Sequence, residues 1–138
     1  MHAQIVASGR TVYETPPEVF RPLDREFHFT LDVCATPQNA KCERYFTEAE
    51  DGLKQSWAGE RCWMNPPYGS GIVRWVAKAA RADTLVVGLV PASTDTNWWH
   101  DWIEGQAEVR FIRQRVRFVG MTGRAPHPHA IVIWRPKS

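Results

Sequence analysis

No apolar run in this sequence approaches the roughly 20 residues that span a bilayer, so a membrane role is not expected. Residues 1–10 lack the charged-then-apolar layout of a secretory leader, and a cytoplasmic location is the expectation. The three cysteines, Cys34, Cys42 and Cys62, form an odd set without a Cys-x-x-Cys pair. Neither a disulfide framework nor a zinc knuckle is signalled. His100, His127 and His129 have no ligand spacing either, and no metal is expected. Internal repeats and low-complexity tracts are absent, which leaves solenoids and flexible linkers without support.

What remains is a chain of 138 residues, 43% hydrophobic and 23% charged, the balance of a soluble domain. It reads as a loose tail over 1–10 followed by a single domain over 11–138. The net charge of +2 conceals an asymmetry: residues 107–138 carry +6, and the first 106 residues carry −4. Basic residues gathered at one end suit a phosphate backbone.

Thr15-Pro16-Pro17-Glu18 offers a helix start, with prolines for the first turn and an acid near the positive end of the helix. The stripe Val19, Phe20, Leu23, Phe27 then predicts a helix over 17–27. Strands are predicted over 29–35, 61–65 and 84–90, the last so uniformly apolar that both its faces must be covered. Between the last two, Ile72, Val73, Trp75, Val76, Ala79 and Ala80 mark a crossover helix over 71–82. Residues 96–103 suggest a short helix whose Trp98, Trp99 and Trp102 form a buried stripe. Further strands are expected over 109–112, 116–119 and 130–134, and residues 36–58 stay open. The alternation points to a doubly wound α/β sheet, a fold that binds ligands beyond the carboxyl ends of its strands.

Two loops with polar residues lie at such ends, and one of them is Asn65-Pro66-Pro67-Tyr68. Each residue has a task if the substrate is a planar nitrogen base bearing an amino group. The amine's lone pair is delocalised into the ring, and accepting its two hydrogens favours the tetrahedral geometry that can attack a methyl group. The Asn65 side-chain oxygen and the Pro66 carbonyl are the candidate acceptors, held in place by the fixed dihedrals of Pro66 and Pro67. Tyr68 supplies a flat face for an extruded base.

With Tyr13 to Phe20, Phe29 to Ala35, Trp63 to Gly69 and Leu89 to Thr96 in this order, the chain resembles the phage-type Dam-like DNA N6-adenine methyltransferases. These belong to the amino-methyltransferases whose signature is (Asp/Asn/Ser)-Pro-Pro-(Tyr/Phe). The resemblance implies a Rossmann-like S-adenosylmethionine-dependent fold in a minimal version, a mostly parallel sheet flanked by helices, working in a bacterial or phage-infected cell. It implies S-adenosylmethionine as cofactor, held by Thr15 and Pro16 over the methionine part, by the loop Asp32-Val33-Cys34-Ala35, and by Asp51. Glu48, Glu50 and Asp51 are the candidates for the ribose. The loop continues Thr36-Pro37-Gln38-Asn39 where the broader superfamily carries glycines.

The resemblance also implies DNA as partner, met by Thr94 and Asp95 beyond the apolar strand and by Arg113, Arg115, Arg117 and Arg124. Gln114 and His129 stand where it leads one to expect small residues. The implied reaction is a direct displacement without a covalent enzyme intermediate. Methylation of cytosine N4 or of a glutamine amide would use the same acceptors. A non-catalytic nucleic-acid-binding module that retained only the basic face is the reading from another class. A unit of this size would gain DNA footprint as a homodimer.

Overall fold

The computed structural model describes the backbone of residues 4–5 and 11–137, with side chains from Tyr13 onward. A two-stranded antiparallel ribbon pairs β1 (Gln4–Ile5) with β2 (Thr11–Val12). Within the stretch expected to be a tail, Gln4–Ile5 is thus paired, and the other residues of 1–10 lie outside the described ones.

The main sheet has five strands: β3 (Leu31–Asp32), β4 (Arg61–Met64), β5 (Leu85–Pro91), β6 (Glu108–Phe111) and β7 (His129–Trp134). Their spatial order is β3-β4-β5-β7-β6. β3, β4 and β5 pair in parallel, and β7 runs antiparallel to both of its neighbours. The predicted mostly parallel sheet therefore holds for the three neighbouring strands that precede the loops of interest, with one strand inserted against them.

Side chains alternate across the sheet as the two-residue strand period demands. Cys62, Met64, Val86, Val90, Val132 and Trp134 enter one core with α2 (Ile72–Arg81) and α3 (Asn97–Trp102). Trp63, Val87, Leu89, Ile131 and Ile133 enter the other with Phe20 and Leu23 of α1 (Pro17–Phe27) and with Val116 and Phe118. β5 is central and covered on both faces, which is why it reads as an unbroken apolar run. Trp99 is buried and Trp98 and Trp102 pack partly buried on the same core, so these three indoles are packing residues. Among the described residues no helix is long and apolar enough to cross a membrane.

Two expectations change. Residues 116–119 form no strand. Val116 and Phe118 point inward and Arg115 and Arg117 outward, as in a strand, but the backbone bonds go to Glu14 and Ala125 rather than to a ladder. The predicted strand over 29–35 shrinks to Leu31–Asp32, because beyond it the chain turns around the Asp32 carboxylate. Residues 36–58 consist of turns, a parallel bridge from Tyr45 to Asp32 and one 3-10 turn at Gly52–Lys54.

Parallel pairing delivers the carboxyl ends of β3, β4 and β5 to one edge of the sheet. Because β7 is reversed, its first residue reaches the same edge: His129 is registered with Pro91, the last residue of β5.

Candidate active site

Asn65 follows β4 directly. Its Nδ2 donates to the Tyr13 carbonyl and to Thr15 Oγ1 at 3.1 Å. A backbone carbonyl only accepts, so the amide can be oriented in one way, which leaves Oδ1 as an acceptor without a partner among the described residues. Thr15 is 1% exposed, and this bond gives its hydroxyl a structural task alongside the cofactor role implied by the sequence.

Tyr68 stands within an aromatic box. Its ring stacks on Tyr13 (centroids 5.0 Å apart), with the His129 ring beside its hydroxyl edge at 5.6 Å and Phe118 edge-on at 6.3 Å. The platform expected from the motif is therefore one wall of a four-ring cluster. Burial pushes the Tyr68 phenol well above its ordinary range, so it stays protonated and its hydroxyl bonds the His129 ring.

Asp32, 2% exposed, closes the loop after β3 by accepting from the backbone amides of Cys34 (3.2 Å) and Lys41 (3.0 Å). Within that loop Thr36 and Asn39 bond each other reciprocally, the Asn39 carbonyl taking the Thr36 amide at 2.7 Å and the Thr36 hydroxyl the Asn39 amide at 3.2 Å. Side chains thereby close a turn that elsewhere needs glycine. Glycine is required instead at Gly52, where a Cβ would lie 2.0 Å from the Val33 carbonyl oxygen. The Asp51-Gly52 turn can press against the β3 loop only because that atom is missing. Asp51 itself is left-handed at φ 57° and caps Leu53 N at 3.1 Å.

Burial raises the Asp32 pKa to about 7, partly opposed by the two amide bonds. Between about pH 4 and 7 the folded protein then holds a proton that the unfolded chain has released, so stability falls as pH rises through that window and levels off above it. Thermal midpoints at pH 5.5 and 8 should show this decline in the wild type. Asp32→Asn should lose the slope and melt lower at both pH values, because one of its polar atoms donates toward a backbone N–H. An unchanged slope would exclude Asp32 as its source.

Three cavities share the sheet edge. A narrow one of about 20 Å³ is lined by Glu14, Thr15, Asp32, Cys34, Ala35 and Asn65 among others. Lys41, also on its lining, forms an ion pair with Glu14 at 3.5 Å. A second, of about 470 Å³, lies between Val33-Cys34, Glu48, Asp51-Gly52 and the segment Pro67 to Gly71. Cys34 borders both. A third, of about 590 Å³, is walled by Tyr13, Tyr68, Phe118, His127 and His129, with Asp95 and Met121 also on its lining.

Most of the residues predicted from sequence thus meet at this edge: Thr15, Asp32, Val33, Cys34, Ala35, Asp51, Asn65, Pro67, Tyr68 and Asp95. Pro16 does not; it caps α1 and lines a separate groove with Glu18, Arg115, Arg117 and Arg124. Thr94 is exposed, and its carbonyl accepts from His100 Nε2 at 2.8 Å. The cap of α3 is Thr96, whose hydroxyl accepts from Trp99 N, so Asp95 is not spent on capping. Sequence reasoning missed the Tyr13 carbonyl and Lys41. It singled out His129 only as a departure from expectation.

Arg113, Arg115, Arg117 and Arg124 are exposed, and among the described residues none pairs with a carboxylate. Arg110 and Arg135, from the same basic segment, are neutralised by Glu26 and Glu108. The segment 112–127 therefore carries four guanidinium groups without an ion-pair partner among the described residues; Arg115, Arg117 and Arg124 line the groove shared with Glu18, while Phe118, Met121 and His127 of the same segment line the third cavity.

The family model described as DNA N-6-adenine-methyltransferase (Dam) matches residues 2–137. The chain belongs to that family. Among similar proteins, the DNA N-6-adenine-methyltransferase of Haemophilus phage HP1 (strain HP1c1) is 28% identical over 142 residues, which covers 95% of this chain and 82% of that one. The protein of the same description from Escherichia phage T1 is 27% identical over 107 residues, or 75% of this chain and 45% of its own length. The matched span of the Dam family thus includes every residue of the sheet edge described above.

Proposed function

We propose that this protein methylates the exocyclic N6 of adenine in DNA, with S-adenosylmethionine as methyl donor. The single observation that carries the reading is the locked Asn65 amide: both Nδ2 hydrogens are engaged by Tyr13 and Thr15, so Oδ1 is the preset acceptor of a residue that lines the narrow cavity. The names of the phage relatives support the choice of base and of DNA. No observation favours cytosine N4, a glutamine amide or a binding-only module over it.

In this reading the sheet is a reduced Rossmann-like sheet of a single domain over 11–138. A cofactor with an amino-acid end and a nucleoside end would place the first toward the narrow cavity, which as it stands has room for about one water, and the second in the middle cavity, which shares Cys34 with it. Thr15, Asp32 and the loop Val33 to Ala35 would flank the first end. Glu48, which follows the Tyr45 bridge as an acid would follow a second strand, and Asp51 are the carboxylates beside the second. When bound, the cofactor supplies an activated methyl group.

The chain's own residues do the rest. Asn65 Oδ1 and the Pro66 carbonyl accept the two amine hydrogens, which frees the N6 lone pair from the ring and stabilises the positive charge that develops there. Pro66 and Pro67 hold those acceptors at fixed dihedrals, so little reorganisation is needed. Tyr68, with Tyr13, bounds the cavity into which the base is drawn, recovering part of the unstacking cost. Arg113, Arg115, Arg117 and Arg124 meet the phosphates on either side, and Asp95 and Thr94 lie nearest the incoming strand.

Titration calorimetry with S-adenosylmethionine, together with modified-base sequencing of plasmid DNA from an expressing, methylation-deficient host, tests this directly. Cofactor binding and N6-methyladenine at a defined context are expected. Absence of cofactor heat would leave only a binding module.

A further inference from the structure

We propose that His129 is a positioning residue for methyl transfer: from the first position of β7 its Nε2 accepts the Tyr68 hydroxyl hydrogen and thereby fixes how the Tyr68 ring faces the target base. The inference rests on the function proposed above and adds a residue to that site.

Two bonds determine the direction of this interaction. His129 Nδ1 lies 3.2 Å from the His127 carbonyl, which can only accept, so Nδ1 carries the ring proton. Nε2 of a neutral imidazole is then a bare lone pair, and the Tyr68 hydroxyl that meets it must be the donor. Burial keeps the ring in that state, holding its pKa down to about 4, and the side chain is 2% exposed.

The acceptor is also held still. His129 is registered with Pro91 of β5, and its carbonyl accepts from Ile112 N at 3.2 Å, so its backbone is tied on both sides. Its ring is wedged between Tyr68 at 5.6 Å and Phe118 at 5.3 Å. Tyr68, by contrast, adjoins an exposed turn at Gly69-Ser70 and has no other polar partner among the described residues. The rigid β7 end thus lends its position to the Tyr68 ring, a supporting role that catalytic side chains depend on.

The test compares His129→Leu, His129→Gln and Tyr68→Phe with the wild type. Leaving the buried Tyr68 hydroxyl without an acceptor should lower kcat about 10- to 100-fold in His129→Leu. Calorimetric affinity for S-adenosylmethionine should change by less than about 3-fold, because His129 lines neither of the cavities assigned to the cofactor. Gln, whose carbonyl can take the place of Nε2, should recover activity to within about 10-fold of wild type.

Tyr68→Phe should reproduce the Leu loss, and the double variant should lose little more than either single change. Nitrogen-15 spectra of the histidine ring supply a readout independent of methylation: Nδ1 protonated, Nε2 unprotonated, and Nε2 shifted by Tyr68→Phe. Additive losses, an unmoved Nε2 resonance or a fully active His129→Leu would each overturn the role of His129 while leaving the proposed function intact. A wild-type protein with the expected spectra but no methylation would overturn the function, and the role with it.

Discussion

Asn65→Ala should lower methyl transfer by at least about 10²- to 10³-fold, the scale seen when one preset polar group is removed from a transition-state site. Affinity for S-adenosylmethionine should stay within about 3-fold, since the methyl and carbonyl of Ala still leave the Val33 to Ala35 loop and the Asp51-Gly52 turn in place. The loss should fall on kcat, because Oδ1 matters most as charge develops on the amine.

The Tyr13 carbonyl sharpens this expectation. An aspartate at position 65 would set a carboxylate oxygen against that carbonyl and lose the orienting bond. Asn65→Asp should therefore lose activity in this chain as well, although Asp is an accepted residue in the wider signature. Single-turnover rates with calorimetry on the same samples check both variants. A normal single-turnover rate in Asn65→Ala would remove Asn65 from the reaction.

Replacing Arg113, Arg115, Arg117 and Arg124 together by Gln should flatten the dependence of log K on log salt by roughly 3 to 4, at about 0.9 for each phosphate no longer neutralised. At low salt DNA affinity should fall by several orders of magnitude, whereas cofactor affinity should be unchanged. The reason lies in what these side chains lack: no carboxylate among the described residues lies within ion-pair distance of them, so their charge is available to phosphate. Arg110→Gln is the control. That guanidinium already bonds Glu26 and Glu108, which also hold its proton more firmly than usual, and its loss should leave the salt slope unaltered. An unaltered slope in the quadruple variant would place the DNA on another face.

How much of this was legible in the sequence follows from how local each signal is. α1 runs over Pro17–Phe27 as expected, because its proline start and its apolar stripe are both contained in the segment. α2 and β5 fall within a residue or two of their predicted ends for the same reason. Residues 115–118 misled because alternating Arg and apolar residues describe any extended chain lying on a core, and only the absence of a ladder partner tells it from a strand.

The site divides in the same way. Asn65 to Tyr68 is a contiguous motif and could be read. The groups that orient it could not: Tyr13 and Thr15 are 52 and 50 residues away in the segment before α1, and His129, 61 from Tyr68, is brought in by a reversed strand. Four unpaired arginines could be counted from the sequence only as part of a +6 segment, since pairing of Arg110 and Arg135 with acids depends on the fold.

The central claim is that the Asn65 side-chain oxygen, left over when its Nδ2 is tied to Tyr13 and Thr15, grips the amino group of adenine. Its most direct test is incubation of DNA with the protein and isotopically methyl-labelled S-adenosylmethionine, followed by digestion to nucleosides and mass analysis. The label should appear in N6-methyldeoxyadenosine, and Asn65→Ala should reduce it to trace levels. Label in N4-methyldeoxycytidine, or equal labelling by the Asn65→Ala variant, would contradict the account.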